Sequence, residues 1–334
     1  MGTPDASIGD RLAAWLSDVE GRAVEVRGLE AVSAGARRFN ALFEAVSGDE
    51  VRPLAITMIP TAAIQLLDVN GEAAVRTAAE LAGVPVPHVH HVCDDEAVLG
   101  GPFFMSTAVD GETIPRRLLR LVHEHDIGEQ IVARLGEAMG QLHSIDEPPE
   151  ALARPTGSGP IDAALTGLDG LLGQLLAPSP VFAHGARWLE RHAPAEPERI
   201  TVVHSDIRTG NIIVGPDGLR AILDWETARV GDPMEDLAWP CMRMWRFRED
   251  ARIVGGLAGV DVLRKAYLDA GGAWDEDRFR WWRVLGAVRW GLGLAGQARA
   301  HLDGSFRSIV MAASGRRVPE LEYDALLLLR PGGD

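Results

Sequence analysis

The stretch from Val203 to Trp225 constrains this chain more than any other. Two apolar runs, Ile212 to Val214 and Leu219 to Leu223, flank Gly215-Pro216-Asp217-Gly218. Glycine, proline and aspartate between apolar runs supply the dihedrals of a tight reversal, so the block reads as a β-hairpin. A hairpin returns the chain beside its own start. Asp224, just after the second run, therefore comes back next to Asn211, just before the first, with Asp206 on the loop ahead of it. Two carboxylates and an amide converge at one end of the hairpin.

The rest of the chain falls into two parts of different pattern. Ile8, Leu12, Trp15 and Leu16 are spaced as on one face of a helix over residues 8–20. Strand-like runs follow at Val24 to Leu29, Phe39 to Val46 and Leu54 to Ile59. Gly71 to Leu81 reads as a helix, Val89 to Val92 and Phe103 to Ala108 as strands, and Asp110-Gly111 as a turn. Beyond it helical spacing dominates, with long helices predicted over 127–143 and from Trp281 to His301. Strands first and helices later predict an α+β architecture of two lobes. Residues 1–108 form a small mixed lobe with an antiparallel sheet, and residues 109–334 a larger, mainly helical one. A chain of 334 residues exceeds what a single core ordinarily holds, which favours the division.

Composition narrows the function classes. A net charge of −15 argues against a nucleic-acid binder, which normally shows a basic face. Two cysteines, Cys93 and Cys241, do not indicate a disulfide scaffold. No stretch approaches the roughly 20 uninterrupted apolar residues of a membrane span. Asp5, Asp10, Asp18 and Glu20 are unlike a signal peptide, so the expected location is the cytoplasm. The single lysine, Lys265, follows Arg264 rather than a glycine, so there is no Walker A loop. No G-x-G-x-x-G follows a strand, and no G-x-S-x-G nucleophile elbow is present.

The cluster at the end of the hairpin suits phosphoryl transfer. Magnesium arriving with a nucleotide prefers oxygen ligands and takes few of them from protein. Asn211 and Asp224 can supply an amide oxygen and a carboxylate, which leaves Asp206 to orient an attacking hydroxyl and accept its proton. The run from His204 through Asp206 to Asn211 has the H-x-D-x-x-x-x-N spacing of a kinase catalytic loop, and Asp224 corresponds to its later metal-binding Asp.

On these motifs the chain resembles the aminoglycoside phosphotransferase/choline kinase family, which shares the protein-kinase fold, and within it the branch found beside acyl-CoA dehydrogenases. Phe103-Phe104-Met105 followed by Val109-Asp110-Gly111-Glu112 is similar to the family's hinge, and Leu135 to His143 to its central helix. Leu223-Asp224-Trp225-Glu226, Gly231-Asp232-Pro233 and Asp236-Leu237-Ala238 resemble the segment after the metal-binding strand. The resemblance implies Asp206 as catalytic base, Asn211 and Asp224 as magnesium ligands, and His204 and Arg208 as braces of the loop. It further implies ATP or GTP as donor, held against the hinge from Ser106 to Val109, and a small hydroxylated molecule as acceptor.

The sequence departs from the family in two places. The first loop, usually Ser-Gly-Gly-x-Ser-Asn, here runs from Ser33 and Gly35 through Arg37 and Arg38 to Asn40. The third strand usually carries a Lys or Arg that pairs the phosphates and a helix glutamate; here Ile56-Thr57-Met58-Ile59-Pro60 holds no base. Glu72 is the expected helix partner and is left without its cation. Arg37 or Arg38 can reach the phosphates instead, since arginine offers a bidentate fork. The other outcome is a catalytically weak, pseudokinase-like binding protein, or a repurposed kinase fold in a biosynthetic pathway.

Other residues have competing readings. Asp232, Pro233 and Glu235 fit a capping box at a helix start, and Asp236 is expected to brace the catalytic loop. His88, His90, His91 and Cys93 alternate faces along a strand, which does not gather them into one metal site. Trp245, Trp282 and Trp290 are core on the ordinary reading of helical aromatic stripes, or lining of an acceptor site. In the second case Arg243, Arg246, Arg289 and Arg299 are candidates to meet an anionic group.

Overall fold

The computed structural model of the chain describes residues 6–34, 38–60, 67–173, 175 and 178–330. Helix α1 (Ala6–Glu20) leads into β1 (Glu25–Ala34), β2 (Phe39–Ser47) and β3 (Glu50–Met58). Helix α2 (Val69–Leu81), β4 (Val89–Cys93), the short α3 (Glu96–Leu99) and β5 (Phe103–Thr107) complete the first part. The five strands form one antiparallel sheet in the order β1-β2-β3-β5-β4. Ala41, Phe43 and Ala45 alternate inward along β2, and with Leu54, Ile56, Phe103 and Met105 they bury the face covered by Leu12 and Leu16 of α1. Phe104, one residue out of phase, points to the other face and packs with Ile59 and Val69 at the start of α2. Helix α2 thus lies across the sheet from α1, on the side that becomes a cleft.

Strand β1 runs past the predicted end at Leu29. Gly28 takes φ +62° and the pairing with β2 shifts between Arg27 and Glu30, so a bulge absorbs the break and the strand continues to Ala34. Residues 108–114 cross from β5 to α4 (Pro115–His125). The crossing is pinned to the hairpin: Glu112 N–H donates to Val214 O at 2.8 Å and Val214 N–H to Glu112 O at 3.1 Å.

The helical part comprises α4, α5 (Gly128–His143), α6 (Pro160–Leu172), α7 (Pro180–Arg191), α8 (Pro233–Ala238), α9 (Val260–Asp269), α10 (Glu276–Leu302), α11 (Ile309–Ser314) and α12 (Val318–Leu329). Between α7 and α8 lie the short β6 (Thr201–Val203), the hairpin β7 (Ile212–Gly215) and β8 (Gly218–Ile222), and β9 (Arg229–Gly231), which pairs with β6. One large core fills this part, with α5 against α9 and α10 against α7, α8 and α12. The α5–α9 approach requires glycine: a Cβ on Gly136 would stand 2.7 Å from Leu263 O, and one on Gly140 2.5 Å from Ala270 Cβ. The predicted helix from Trp281 starts earlier, at Glu276, where the Asp275 side chain caps it by accepting from Arg278 N–H.

The capping box at α8 is only half formed. Asp232 accepts from Met234 N–H at 3.0 Å, and Pro233 occupies the first helical position. Glu235, expected to reach back to Asp232, instead pairs with Arg229 and Arg289. Two guanidiniums outcompete one backbone N–H for a buried carboxylate.

Candidate active site

Strand β6 delivers His204, Ser205 and Asp206 to the foot of the cleft. Asp236, fully buried on α8, accepts the His204 N–H at 2.7 Å and the Ser205 N–H at 2.6 Å. Its Oδ2 also meets His143 Nε2 at 3.2 Å, and His143 Nδ1 meets the Tyr267 hydroxyl at 3.0 Å. Burial alone would raise the Asp236 carboxyl, but the donors around it outweigh that and hold it below the usual carboxylate range. The loop that carries Asp206 is therefore fixed by a charged anchor buried in the helical core.

Ser205 has φ +63°, in the left-handed region. Glycine would adopt that conformation without a Cβ penalty. The serine is held there by its Oγ–H donating to Thr227 O at 2.7 Å. His204 Nε2 lies 2.9 Å from the Leu223 carbonyl, and its Nδ1 receives the Asp206 N–H at 3.2 Å. That pattern assigns the Nε2–H tautomer and engages both ring nitrogens, so the imidazole ties the loop to the end of the hairpin.

Asp206 is surrounded by donors. Trp239 Nε1–H donates to Oδ1 at 2.8 Å, Asn211 Nδ2 donates to Oδ2 at 2.7 Å, and Arg208 Nε lies 3.2 Å from Oδ2. Burial raises its carboxyl above the ordinary value, offset in part by Arg208, His204 and Trp239 and reinforced by Asp224. A carboxylate fixed in orientation and raised in basicity has the attributes of a proton acceptor. Trp239 stands on the same helical face as Asp236, three residues on. That spacing is the signal in the sequence that could have found it.

Asn211 and Asp224 meet as the hairpin requires, with Leu223 N–H donating to Asn211 O at 2.8 Å. Both line a cavity of about 680 Å³ between the sheet and the helical part, which Ser106 and Val109 also line. Two other hollows, of about 1270 and 870 Å³, lie on the helical part away from these residues. The Asn211 amide nitrogen is committed to Asp206, which leaves its carbonyl oxygen and the Asp224 carboxylate as hard oxygen donors. They suit a magnesium ion that draws its other ligands from phosphates. Among the described residues no three His, Cys, Asp or Glu side chains form a metal cluster of their own.

Glu72 does have a cation. Arg38, at the start of β2, places Nη1 2.7 Å from Glu72 Oε2 and Nε 2.9 Å from Glu226 Oε2. Sequence reasoning looked for this partner on the third strand and missed the strand pairing that sets residue 38 beside it. Burial pulls against charge on both partners and raises Glu72. Around Arg38, however, Glu72, Glu226 and Asp224 together outweigh desolvation and raise the guanidinium. Arg76, one turn along α2 and also unforeseen, is buried over the Phe104 ring at 4.8 Å and donates to Pro87 O.

The remaining candidates separate. Ser33 belongs to β1, whereas Gly35 and Arg37 lie outside the described residues. Trp239, Trp245 and Trp290 pack together at mutual centroid distances of 5.6–6.1 Å, and Arg208 lies over Trp245. Trp282 is apart from this group, buried against Trp281 with its N–H on Asp232. Arg243, Arg246, Arg289 and Arg299 are engaged by Asp250, the Cys241 carbonyl, Glu235 and Asp303. His88, His90 and His91 contact Glu80, Thr107 and Glu20 separately.

Comparison with known proteins identifies relatives and the fold. Mouse (Mus musculus) acyl-CoA dehydrogenase family member 10 is 26% identical over 261 residues, covering 73% of this chain and 24% of the relative. The chain thus spans about a quarter of that relative's length. A Ralstonia eutropha protein described as a candidate aminoglycoside phosphotransferase superposes with a TM-score of 0.71 at 21% identity, covering 96% of this chain and 97% of the other. A thermostable mutant of aminoglycoside phosphotransferase APH(4)-Ia, in ternary complex with AMP-PNP and hygromycin B, gives 0.60 at 18% identity over 94% and 98%. These two share the fold, with its antiparallel five-stranded sheet followed by a mainly helical part. The profile of the phosphotransferase enzyme family matches residues 29–282, well over half the sequence, and the chain belongs to that family.

Proposed function

We propose that the protein is a small-molecule O-phosphotransferase that moves the γ-phosphoryl group of ATP or GTP to a hydroxyl group. The observation that carries the reading is the convergence on one cleft of the oxygen pair of Asn211 and Asp224 and the Arg38–Glu72 ion pair, with Asp206, held by three donors, hydrogen-bonded to the lining residue Asn211. The nucleotide base lies against Ser106 to Val109, and its phosphates extend toward the end of the hairpin. Asn211 and Asp224 would hold magnesium, which when bound would supply charge neutralisation for the phosphates.

The acceptor hydroxyl docks at Asp206. Its oxygen bonds to the γ-phosphorus as the bond from that phosphorus to the bridging oxygen breaks, and its proton passes to the Asp206 carboxylate and then to solvent. Trp239 and Asn211 fix the carboxylate, and Asp236 fixes the loop that carries it. The acyl-CoA dehydrogenase name of the relative makes hydroxylated acyl compounds the first acceptors to screen, ahead of the antibiotic substrates of the structural neighbours.

The test is a transfer assay with γ-labelled ATP and GTP over such a panel. Label should move to an acceptor with the wild-type chain, and Asp206→Asn should lose about 100-fold or more of the rate. Magnesium-dependent nucleotide binding without transfer to any acceptor would favour the pseudokinase-like alternative.

A further inference from the structure

The family's β3 cation is absent, and we infer that its role as the phosphate clamp has moved to Arg38 at the edge of β2, with Glu226 occupying that arginine until a nucleotide arrives. The inference rests on the phosphotransferase reading and deepens it.

The strand register locates the substitution. Asn40 pairs with Thr57 and Phe39 with Met58, so residue 38 sits beside the end of β3 where the missing base would stand. Thr57 lines the cleft, but its hydroxyl is committed to Asn40 Oδ1 at 2.9 Å. The other described bases do not compete. Arg52 lies near the opposite end of β3 and is paired with Glu20, and Lys265 is exposed on α9 against Asp269. Arg76 faces Glu72 but is tied to the wall by Pro87 O and Phe104.

Among the described bases, Arg38 combines the three attributes a clamp needs. It grips Glu72, the buried carboxylate of α2; it lines the cleft; and it lies in the field of Asp224. Nη1 is used by Glu72 and Nε by Glu226. Guanidinium geometry allows one edge to stay on Glu72 while another meets phosphate oxygens. Glu226 is only partly buried, at 24% exposure against 2% for Glu72, and so is the partner more readily given up to solvent. Phosphate and Glu226 then compete for the same N–H groups, and nucleotide binding must break the weaker contact.

Calorimetric titration of the full chain with ATP and adenosine, magnesium present, tests this on four variants. Arg38→Ala should weaken ATP binding by about tenfold or more and leave adenosine unchanged, because only ATP presents phosphates. Glu226→Gln should tighten ATP binding, again without effect on adenosine. Since Arg38→Ala strands the buried Glu72 and can unfold the chain, Arg38→Ala/Thr57→Lys restores a cation from the strand itself and should recover ATP affinity. Arg38→Lys should fall between wild type and alanine. ATP binding by folded Arg38→Ala within twofold of wild type would overturn the inference alone, as would equal losses of ATP and adenosine affinity. A wild-type chain that binds adenosine and ATP equally, or neither, would overturn the phosphotransferase reading and this inference with it.

Discussion

The indole N–H of Trp239 donates to Asp206 Oδ1 across 2.8 Å, from a residue three positions beyond the anchor Asp236. Helix α8 and the turn after it therefore control both the backbone of the catalytic loop and the carboxylate it presents.

Trp239→Phe keeps the packing and removes that donor. Burial already raises the Asp206 carboxyl, and hydrogen bonds to its ionised form oppose the rise. As the proposed base Asp206 works ionised, so activity is expected above its pKa and lost as pH falls through it. Removing the donor moves that acid limb to higher pH. The kcat/KM profile of the variant should show the shift, with a loss of roughly tenfold on the plateau.

Asp236→Asn should be among the most destabilising single changes. The native carboxylate accepts from His204, Ser205 and His143 in full burial, and an amide serves them poorly, at a cost of about 3–5 kcal/mol. Its folded pKa is depressed, so its contribution is present above the ordinary value of 3.8 and lost as pH falls through the lower folded value. Denaturant unfolding should show the full gap between wild type and variant at pH 7, closing toward strongly acid pH.

Ser205→Gly should be close to neutral. Relief of a left-handed φ of +63° returns roughly 1–2 kcal/mol. Loss of the Oγ bond to Thr227 costs about 1 kcal/mol. Ser205→Val keeps neither the permissive backbone nor the bond, and thermal melts should place it well below both.

Gly111→Ala should damage the crossing between the two parts. Gly111 has φ +146°, and a Cβ there would stand 2.6 Å from Ile213 Cγ2 and 2.8 Å from Val214 O. The strain must displace either the crossing or the hairpin that carries Asn211. We expect about 1–3 kcal/mol of lost stability in denaturant unfolding, with weaker nucleotide binding.

Legibility in the sequence followed the range of the interactions. The Gly215 to Gly218 turn is local chemistry, and it placed Asn211 beside Asp224 without any tertiary knowledge. Asp232 capped α8 for the same reason. Glu235 was misread because Arg229 and Arg289 reach it only in the folded chain. Arg38 and Glu72 are far apart in sequence and meet only once β2, β3 and α2 have packed, so the loop arginines could be suspected but the pairing could not be derived. Trp239 was not singled out, because most helical tryptophans are core. It is mostly buried, and only its N–H, turned to Asp206, distinguishes it from Trp282, whose N–H goes to Asp232.

The most direct test of the account is calorimetric titration of the full chain with ATP, with and without magnesium, beside the Asp224→Asn variant. Micromolar binding that requires magnesium and is lost in the variant is the expected result, since Asp224 and Asn211 are assigned to hold the ion at the phosphates. Binding that ignores both magnesium and the substitution, or no binding of ATP or GTP at all, would contradict it.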